Sequence, residues 1–367
     1  MVVALAAGCD SEAAKVTRVP PAEAPPVATP VVATPVVETP ASAPAVRTYP
    51  IDGRTLTARL TTSKPSLMVS EPGYAILEFV GEGLEVEVEW MGRNGLGRPD
   101  NYRVELSDAA GVAVPVPDAG PQFGGKTWSV KPTADKPFAQ KLLLTHWAER
   151  LAPGRHTVHV ETEVRARVLP DGAWRAVAVA LDVPLAVVAD DPVVLGELIV
   201  RLGEAAVGAN YEEAEEGIRQ LGAIRDPRVV AQWLRVAERP EYTRKQSAVR
   251  GLAQWPDDAA LAAIIKITKT RSVDLPAEGF ATEALRVQSA GQLRLTAAQA
   301  LATSPHPGAS AALLALKADP DDSVRLTVLH HVATLTGPVA APLLAEFARD
   351  AAPLVRGEAE RYIRERR

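Results

Sequence analysis

One stretch of the chain has the residue types of a phosphate-binding loop. Residues 120–127 read GPQFGGKT, which fits the GxxxxGKT pattern, and the run VAVALD that ends at Asp182 could supply a carboxylate for magnesium. A phosphate loop works because a helix begins at its lysine and aims backbone N–H groups at the anion. Lys126 is followed by TWSVKPTADKP, whose prolines prevent such a helix. We therefore expect a glycine-rich loop between strands and no bound nucleotide.

Potential calcium ligands surround another glycine-rich turn. They are Asn94, Asp100, Asn101 and Asp108. Side-chain oxygens of this kind bind calcium in some loops. Asn and Asp also favour turns for backbone reasons, and the spacing here does not follow the alternate positions of a calcium loop. We expect ordinary turn chemistry, with calcium as the alternative.

The histidines do not form a predicted metal site. His156 and His159 fall on opposite faces of one strand. His330 and His331 are adjacent on one helix and point about 100° apart. Neither pair can ligate one metal ion by itself, so no metal is predicted.

Motifs that carry catalysis do not occur in the sequence. It contains no GxSxG, no HExxH and no cysteine–histidine pair. The acid pairs Glu212–Glu213 and Glu215–Glu216 lie in a run typical of a solvated helix. We therefore expect no enzymatic activity and no cofactor.

A single cysteine, Cys9, excludes an intramolecular disulfide and a cysteine-rich metal site. It directly follows Ala-Ala-Gly and an apolar run, so that MVVALAAGC resembles a bacterial lipobox. The resemblance implies that residues 1–9 are the remnant of a lipoprotein signal and that Cys9 becomes the lipidated N-terminus. No Lys or Arg precedes the run, which a start codon placed upstream would explain. The alternative is an incidental cysteine.

Residues 10–47 are predicted to be an extended tether. VATPV, VATPV and VETPA follow one another from Val27 to Ala41. Proline at every fifth residue prevents helix and sheet from propagating. At about 3.1 Å per residue the segment could reach on the order of 100 Å. Such a spacer would separate a lipid anchor from the folded domains.

Residues 48–190 alternate as strands do. The run from Leu84 to Trp90 places apolar residues on one face and glutamates on the other, and the run from His156 to Val168 repeats the pattern. About seven such runs, separated by Gly, Pro, Asp and Asn, predict an antiparallel sandwich. The segment LAPGRHTVHVE resembles a late strand of an immunoglobulin-like domain. The predicted fold of this part is an all-β immunoglobulin-like sandwich.

Residues 191–367 contain a sequence repeat. The pairs Leu293-Arg294, Val324-Arg325 and Val355-Arg356 lie 31 residues apart, and an apolar residue follows each Arg after seven residues, at Leu301, Val332 and Ile363. Leu221 and Leu252 are also 31 residues apart, and a second column of mostly small residues contains Gly217, Ala248, Ala297, Val328 and Ala359. A short fixed period is typical of a helical solenoid. The repeats resemble HEAT repeats of the compact bacterial type. The resemblance implies about five stacked helix pairs, an all-α HEAT-like solenoid that binds another protein.

Residue types that start helices mark several of these repeats. Asp191–Pro192, Asp226–Pro227 and Asp321–Asp322 each offer a side-chain acceptor at the expected cap, and two of them offer Pro in the first turn.

The 31-residue spacing between repeats is interrupted at one place. The spacing from Leu252 to Leu301 is 49 residues, 18 more than the period of 31, and the surplus falls near residues 271–290. Insertions in solenoids project from one face as loops, because each repeat contacts only its neighbours. The alternative is a divergent helix packed into the stack. We predict that the segment binds a partner through three apolar residues, Leu275, Phe280 and Leu285.

Composition argues against several classes of partner. The net charge is -5, and within residues 191–367 the 22 Lys and Arg nearly balance 23 Asp and Glu. No electrostatic attraction to nucleic acid is expected. No run of about 18 apolar residues occurs that could span a bilayer, so membrane attachment is expected through the lipid anchor only.

These features predict a lipid-anchored protein of the bacterial cell envelope that acts as a protein-interaction scaffold through its repeats. The alternative function is a sandwich that binds a glycan or calcium, with the repeats as a rigid spacer. Exposed tryptophans on the sandwich would favour the alternative, and buried ones would favour the scaffold. The tryptophans concerned are Trp90, Trp128 and Trp147.

Overall fold

The computed structural model describes residues 43–89, 93–94, 98–99, 101–118, 122–123, 127–336 and 338–366. A strand-rich part, residues 45–188, precedes a helical part, residues 192–365. The predicted fold class, a β-sandwich followed by an all-α repeat region, is confirmed.

The described residues of the N-terminal part form twelve strands. These are β1 (Ala45–Ile51), β2 (Arg54–Thr62), β3 (Ser66–Met68), β4 (Tyr74–Val80), β5 (Leu84–Glu89), β6 (Arg93–Asn94), β7 (Tyr102–Asp108), β8 (Gln122–Phe123), β9 (Thr127–Val130), β10 (Phe138–Leu143), β11 (Gly154–Val168) and β12 (Arg175–Val188). One sheet has the order β1-β2-β4-β10, and the other has the order β3-β12-β11-β5-β9, with β7 also pairing with β11. Strands β6 and β8 form a separate small ribbon. Side chains from both large sheets share one hydrophobic core.

The alternating pattern of β5 places its two faces as predicted. Val86 is buried, whereas Glu85 and Glu87 lie opposite Arg167 and Arg165 on β11. Both cross-strand pairs are ion pairs, with 3.0 Å between Glu87 Oε2 and Arg165 Nη1. Opposite charges directly across a sheet support its register.

The sandwich begins three residues earlier than the boundary predicted at residue 48. Ala45, Val46 and Arg47 belong to β1 and pair with residues 58–60 of β2. The proline-rich composition hides this strand, since Pro50 lies within it at the edge of the sheet.

The helical part contains ten α-helices among its described residues. These are α1 (Pro192–Val207), α2 (Tyr211–Ala223), α3 (Val229–Glu238), α4 (Tyr242–Leu252), α5 (Asp258–Ile267), α6 (Glu283–Thr303), α7 (Ala309–Leu314), α8 (Asp322–Thr334), α9 (Ala340–Phe347) and α10 (Pro353–Glu365). Short 3₁₀ helices span Leu144–His146, Ser272–Asp274 and Ala277–Gly279. None of the described helices combines the length and apolar composition needed to cross a bilayer.

Two of the three predicted helix caps are present. The Asp191 carboxylate accepts from the Val193 backbone N–H at 2.8 Å, and the Asp321 carboxylate accepts from the Ser323 N–H at 2.9 Å. Asp226 is different, because it accepts from the Arg228 N–H in a turn and α3 begins only at Val229.

The sandwich and the helices belong to one compact unit, Thr39–Arg367. Met68 at the end of β3 is buried in the helical core, and Val188 at the end of β12 packs against that core. Tyr74 and Leu143 of the first sheet form a small apolar cluster with Ala223 of α2. Burial, with the Glu216 carboxylate of α2 nearby, raises the pKa of Tyr74. The repeats are therefore fixed to the sandwich by side-chain packing.

Candidate functional site

The ten helices form five consecutive pairs, which stack in two layers. The first helices of the pairs are α1, α3, α5, α7 and α9, and the second helices are α2, α4, α6, α8 and α10. Neighbouring second helices pack side by side from α2 to α10, and α1, α3 and α5 do the same in the other layer. We call the exposed surface of the second helices the second-helix face.

The predicted 31-residue period corresponds to columns of buried side chains on the second helices. Leu301 and Val332 are buried, and Ile363 packs against the same core. The small-residue column is buried as well. It comprises Gly217, Ala248, Ala297, Val328 and Ala359.

The arginines of the repeat connect successive helix pairs. Arg294 on α6 pairs with Asp319, at 3.2 Å between Nε and Oδ2, and its Nη1 donates to the Thr270 carbonyl. Arg325 on α8 pairs with Asp350 and donates to the Asp319 carbonyl at 2.8 Å. The hydrogen bonds from Arg325 lower the pKa of Asp350. The sequence pattern did not identify Asp319 and Asp350 as partners of these arginines, although the two aspartates are also 31 residues apart.

The second-helix face contains a groove of about 660 Å³ between α4 and α6. Its floor is made of small side chains, including Ala253 and Ala300, which are both buried. The buried Thr296 hydroxyl lies beside them, 3.2 Å from Gln246 Nε2 of α4. This hydrogen bond joins the two helices beneath the groove.

The rim of the groove is polar. Arg250 of α4 and Gln254, in the turn after α4, lie on one side, and Gln299 and Thr303 of α6 lie on the other; all four are exposed. The sequence did not indicate this groove, since its two walls lie far apart in the chain and no motif connects them.

The insertion at residues 271–290 is more ordered than predicted. Two of the 3₁₀ helices lie in its first half, and its second half, from Glu283, is the start of α6. Thr282 caps that helix, because its hydroxyl accepts from the Leu285 N–H at 3.2 Å. This Thr before a run of helix formers is a signal that could have identified the helix.

Of the three apolar residues predicted to bind a partner, only one is well exposed. Leu275 is 2% exposed and belongs to the helical core, so it cannot contact a partner in this conformation. Phe280 is half-buried and packs against the same core. Leu285 is 46% exposed on α6. Partner binding through the three residues stays a prediction, and the structure shows that the 3₁₀ turn folds Leu275 inward.

The predicted lipidation residue and the tryptophans of the sandwich differ in whether the structure describes them and in how far they are exposed. Cys9 and Trp90 lie outside the described residues. Trp147 is 4% exposed, with Arg98 stacked at 5.9 Å from its ring centroid, whereas Trp128 on β9 is 51% exposed.

The residues after Lys126 form strand β9, so the helix that a phosphate loop needs is not formed there. Asp108 serves as a turn residue, since its carboxylate accepts from the backbone N–H groups of Ala110 and Val112 at 2.9 Å each. Asn101 accompanies it in the described part, while the Asn94 side chain and Asp100 lie outside it. Among the described residues no three potential metal ligands converge.

The histidines contact different partners. His156 is buried, and its Nε2 donates to the Ala152 carbonyl at 2.8 Å, while His159 pairs with Asp182 on β12. His330 is exposed and His331 is half-buried, and the Nε2 atom of His331 lies 2.7 Å from the Ser310 hydroxyl oxygen. Burial lowers the pKa of His331.

The Ser310–His331 contact has the distance of a nucleophile and its base. No described carboxylate hydrogen bonds to His331, and the contact joins α7 to α8 within one helix pair. We interpret it as a packing interaction between the two helices.

Comparison with known proteins agrees with the helix pairs. No curated protein matches the chain. A family model described as HEAT repeats matches residues 277–364, which include α6 to α9 and most of α10. The C-terminal part of the chain therefore carries HEAT-like repeats.

Proposed function

We propose that the protein is a lipid-anchored cell-envelope protein whose HEAT-like repeats serve as a scaffold for a protein partner. HEAT repeats are in general protein-interaction modules, and the match covers residues 277–364. The observation that carries the proposal is the continuous second-helix face, which the five helix pairs display on a body that is fixed to the sandwich. No catalytic role is part of the proposal.

The anchor rests on Cys9, which follows Ala-Ala-Gly and precedes the proline-rich segment. Mass spectrometry of the mature N-terminus from the native host tests it. Diacylglyceryl modification of Cys9 is expected. An intact Met1, or a Cys9→Ser protein that stays membrane-bound, would contradict the anchor and leave the scaffold untouched.

A sandwich that binds a glycan is the second candidate, favoured by one observation. Trp128 exposes 51% of its surface on β9, an edge strand of the second sheet, where an aromatic ring could stack on a sugar. Binding to a glycan array that Trp128→Ala abolishes would support it. The burial of Trp147 favours the scaffold function instead.

A further inference from the structure

The groove between α4 and α6 carries a positive charge that the protein itself does not neutralise. No described side chain hydrogen bonds to or pairs with the Arg250 guanidinium, and no residue that lines the groove is acidic. The repeat arginines behave differently, because Arg294 and Arg325 are each paired with an aspartate. Arg250 is therefore available to a carboxylate from outside.

The amides of the rim are arranged to donate. The Gln254 carbonyl oxygen already accepts from Arg225, which leaves the Gln254 amide N–H groups without a described partner. The Gln299 side chain has no described partner either. The Thr303 hydroxyl donates to the Gln299 and Ala300 carbonyls at 3.3 Å each, so that its lone pairs remain as acceptors. The rim thus offers donors to carbonyl and carboxylate oxygens and an acceptor to an N–H group, which is the combination that a peptide backbone with an acidic side chain requires.

The spacing of the rim fits an extended chain. Gln299 and Thr303 are four residues apart on α6, which corresponds to about 6 Å along a helix. On the other side, Arg250 lies in the last turn of α4 and Gln254 lies in the turn that follows the helix. Two residues of an extended peptide advance about 6.6 Å. Backbone groups of alternate peptide residues could therefore meet successive rim side chains, while the small floor residues leave room for the peptide.

We propose that this groove binds an extended acidic peptide segment of a protein partner. A carboxylate of the peptide pairs with Arg250, and its backbone hydrogen bonds to Gln254, Gln299 and Thr303. The inference rests on the proposed function of the repeats and specifies the chemistry of the partner.

Fluorescence anisotropy with the full chain tests the inference. The probes are two labelled octapeptides, one with Glu and Ala in alternation and a matched one with Gln in place of each Glu. Because a charge-assisted hydrogen bond contributes more than a neutral one, we expect the Glu peptide to bind about tenfold more tightly at low salt. Arg250→Gln should remove this preference, and Gln299→Ala should weaken both peptides alike.

The matched control is Arg201→Gln, which removes an exposed arginine of α1 that has no described partner. It should keep the wild-type preference, and circular dichroism should show that each variant is folded. Equal affinity for the two peptides, binding of neither, or the same loss in Arg201→Gln would overturn the proposal. Competition by free acetate as strong as that by the Glu peptide would also overturn it, since the site would then bind a small organic acid.

The proposed function can fail separately. If the chain cross-links to a protein partner through the second-helix face and Arg250→Gln does not change the peptide preference, the scaffold stands and the groove proposal falls. If the peptide preference is present but no partner contacts that face in cells, the scaffold falls.

Discussion

Arg325 on α8 and Asp350, in the loop between α9 and α10, form a bidentate ion pair. Nε lies 2.8 Å from Oδ2, and Nη2 lies 2.9 Å from Oδ1. The same arginine donates to the carbonyl of Asp319 in its own helix pair, and Asp350 accepts from the Ala352 N–H. One contact therefore joins the fourth helix pair to the fifth and satisfies backbone groups in the loops of both pairs.

Asp350→Asn should destabilise the protein at neutral pH by about 1.5–3 kcal/mol, the usual contribution of a hydrogen bond to a charged group. The pKa of Asp350 is lowered in the folded protein, chiefly by the hydrogen bonds from Arg325. Its contribution is therefore complete above the pKa of an unfolded aspartate and is lost as the pH falls through the lower folded value. The urea midpoints of the wild type and of Asp350→Asn should differ at neutral pH and converge at acidic pH.

Glu360→Gln is the control for this measurement, because Glu360 is exposed on α10 and has no described partner. Its midpoint should stay near the wild-type value at both pH values. An Asp350→Asn protein as stable as the Glu360→Gln protein would show that the pair contributes nothing.

Leu275→Ala and Leu285→Ala distinguish a folded insertion from a flexible one. Leu275 is buried in the helical core, so its truncation should cost about 2–5 kcal/mol. Leu285 is exposed, and its truncation should change the free energy of unfolding by less than about 0.5 kcal/mol. Equal denaturation midpoints for the two variants would mean that the insertion does not pack as described.

Gly251→Ala and Gly357→Ala should have opposite effects. A methyl group on Gly251 of α4 would overlap the Trp233 indole ring of α3, whereas one on Gly357 of α10 would meet no atom within 4 Å. Overpacking typically costs about 1–3 kcal/mol, and Ala stabilises an open helix position by about 0.4–1 kcal/mol relative to Gly. Thermal melts should therefore shift down for the first variant and up for the second. A rise in both would show that α3 and α4 are not in close contact.

Stability should fall as the pH drops below neutrality, in part through His331. Burial lowers the pKa of His331, so the unfolded chain takes up the proton first as the pH falls through the ordinary histidine value of about 6.5. The loss ends once the pH passes the lower folded value. His331→Gln should flatten the change in unfolding free energy between about pH 7.5 and pH 5.5 relative to wild type.

Ser310→Ala supplies the comparison, since it removes the hydroxyl that contacts His331 but keeps the half-buried imidazole, and it should retain the wild-type slope. If both variants have that slope, burial of His331 does not contribute to the pH dependence.

The buried columns of the repeats could be predicted from the sequence because their period is a property of single residues. Leu301 and Val332 needed only their spacing and apolar character. The Arg325–Asp350 pair has an equally regular signal, yet it depends on knowing which loop faces which helix. The packing of the insertion could not be predicted, because the burial of Leu275 depends on tertiary contacts that no local pattern encodes.

The candidate groove could not be predicted, and the reason is geometric. Arg250 and Gln299 are separated by 49 residues, and they face each other only because α4 and α6 pack side by side. Separately, each is an ordinary polar residue on an exposed helix surface.

Site-specific photo-cross-linking in the native host tests the scaffold most directly. A benzophenone amino acid would replace Gln299 on the second-helix face or, as the control, Ala176 on the exposed face of β12. A scaffold role of the repeats predicts a discrete cross-linked protein from position 299 and none from position 176. A discrete product only from position 176, or from neither position, would contradict a binding role for the repeats.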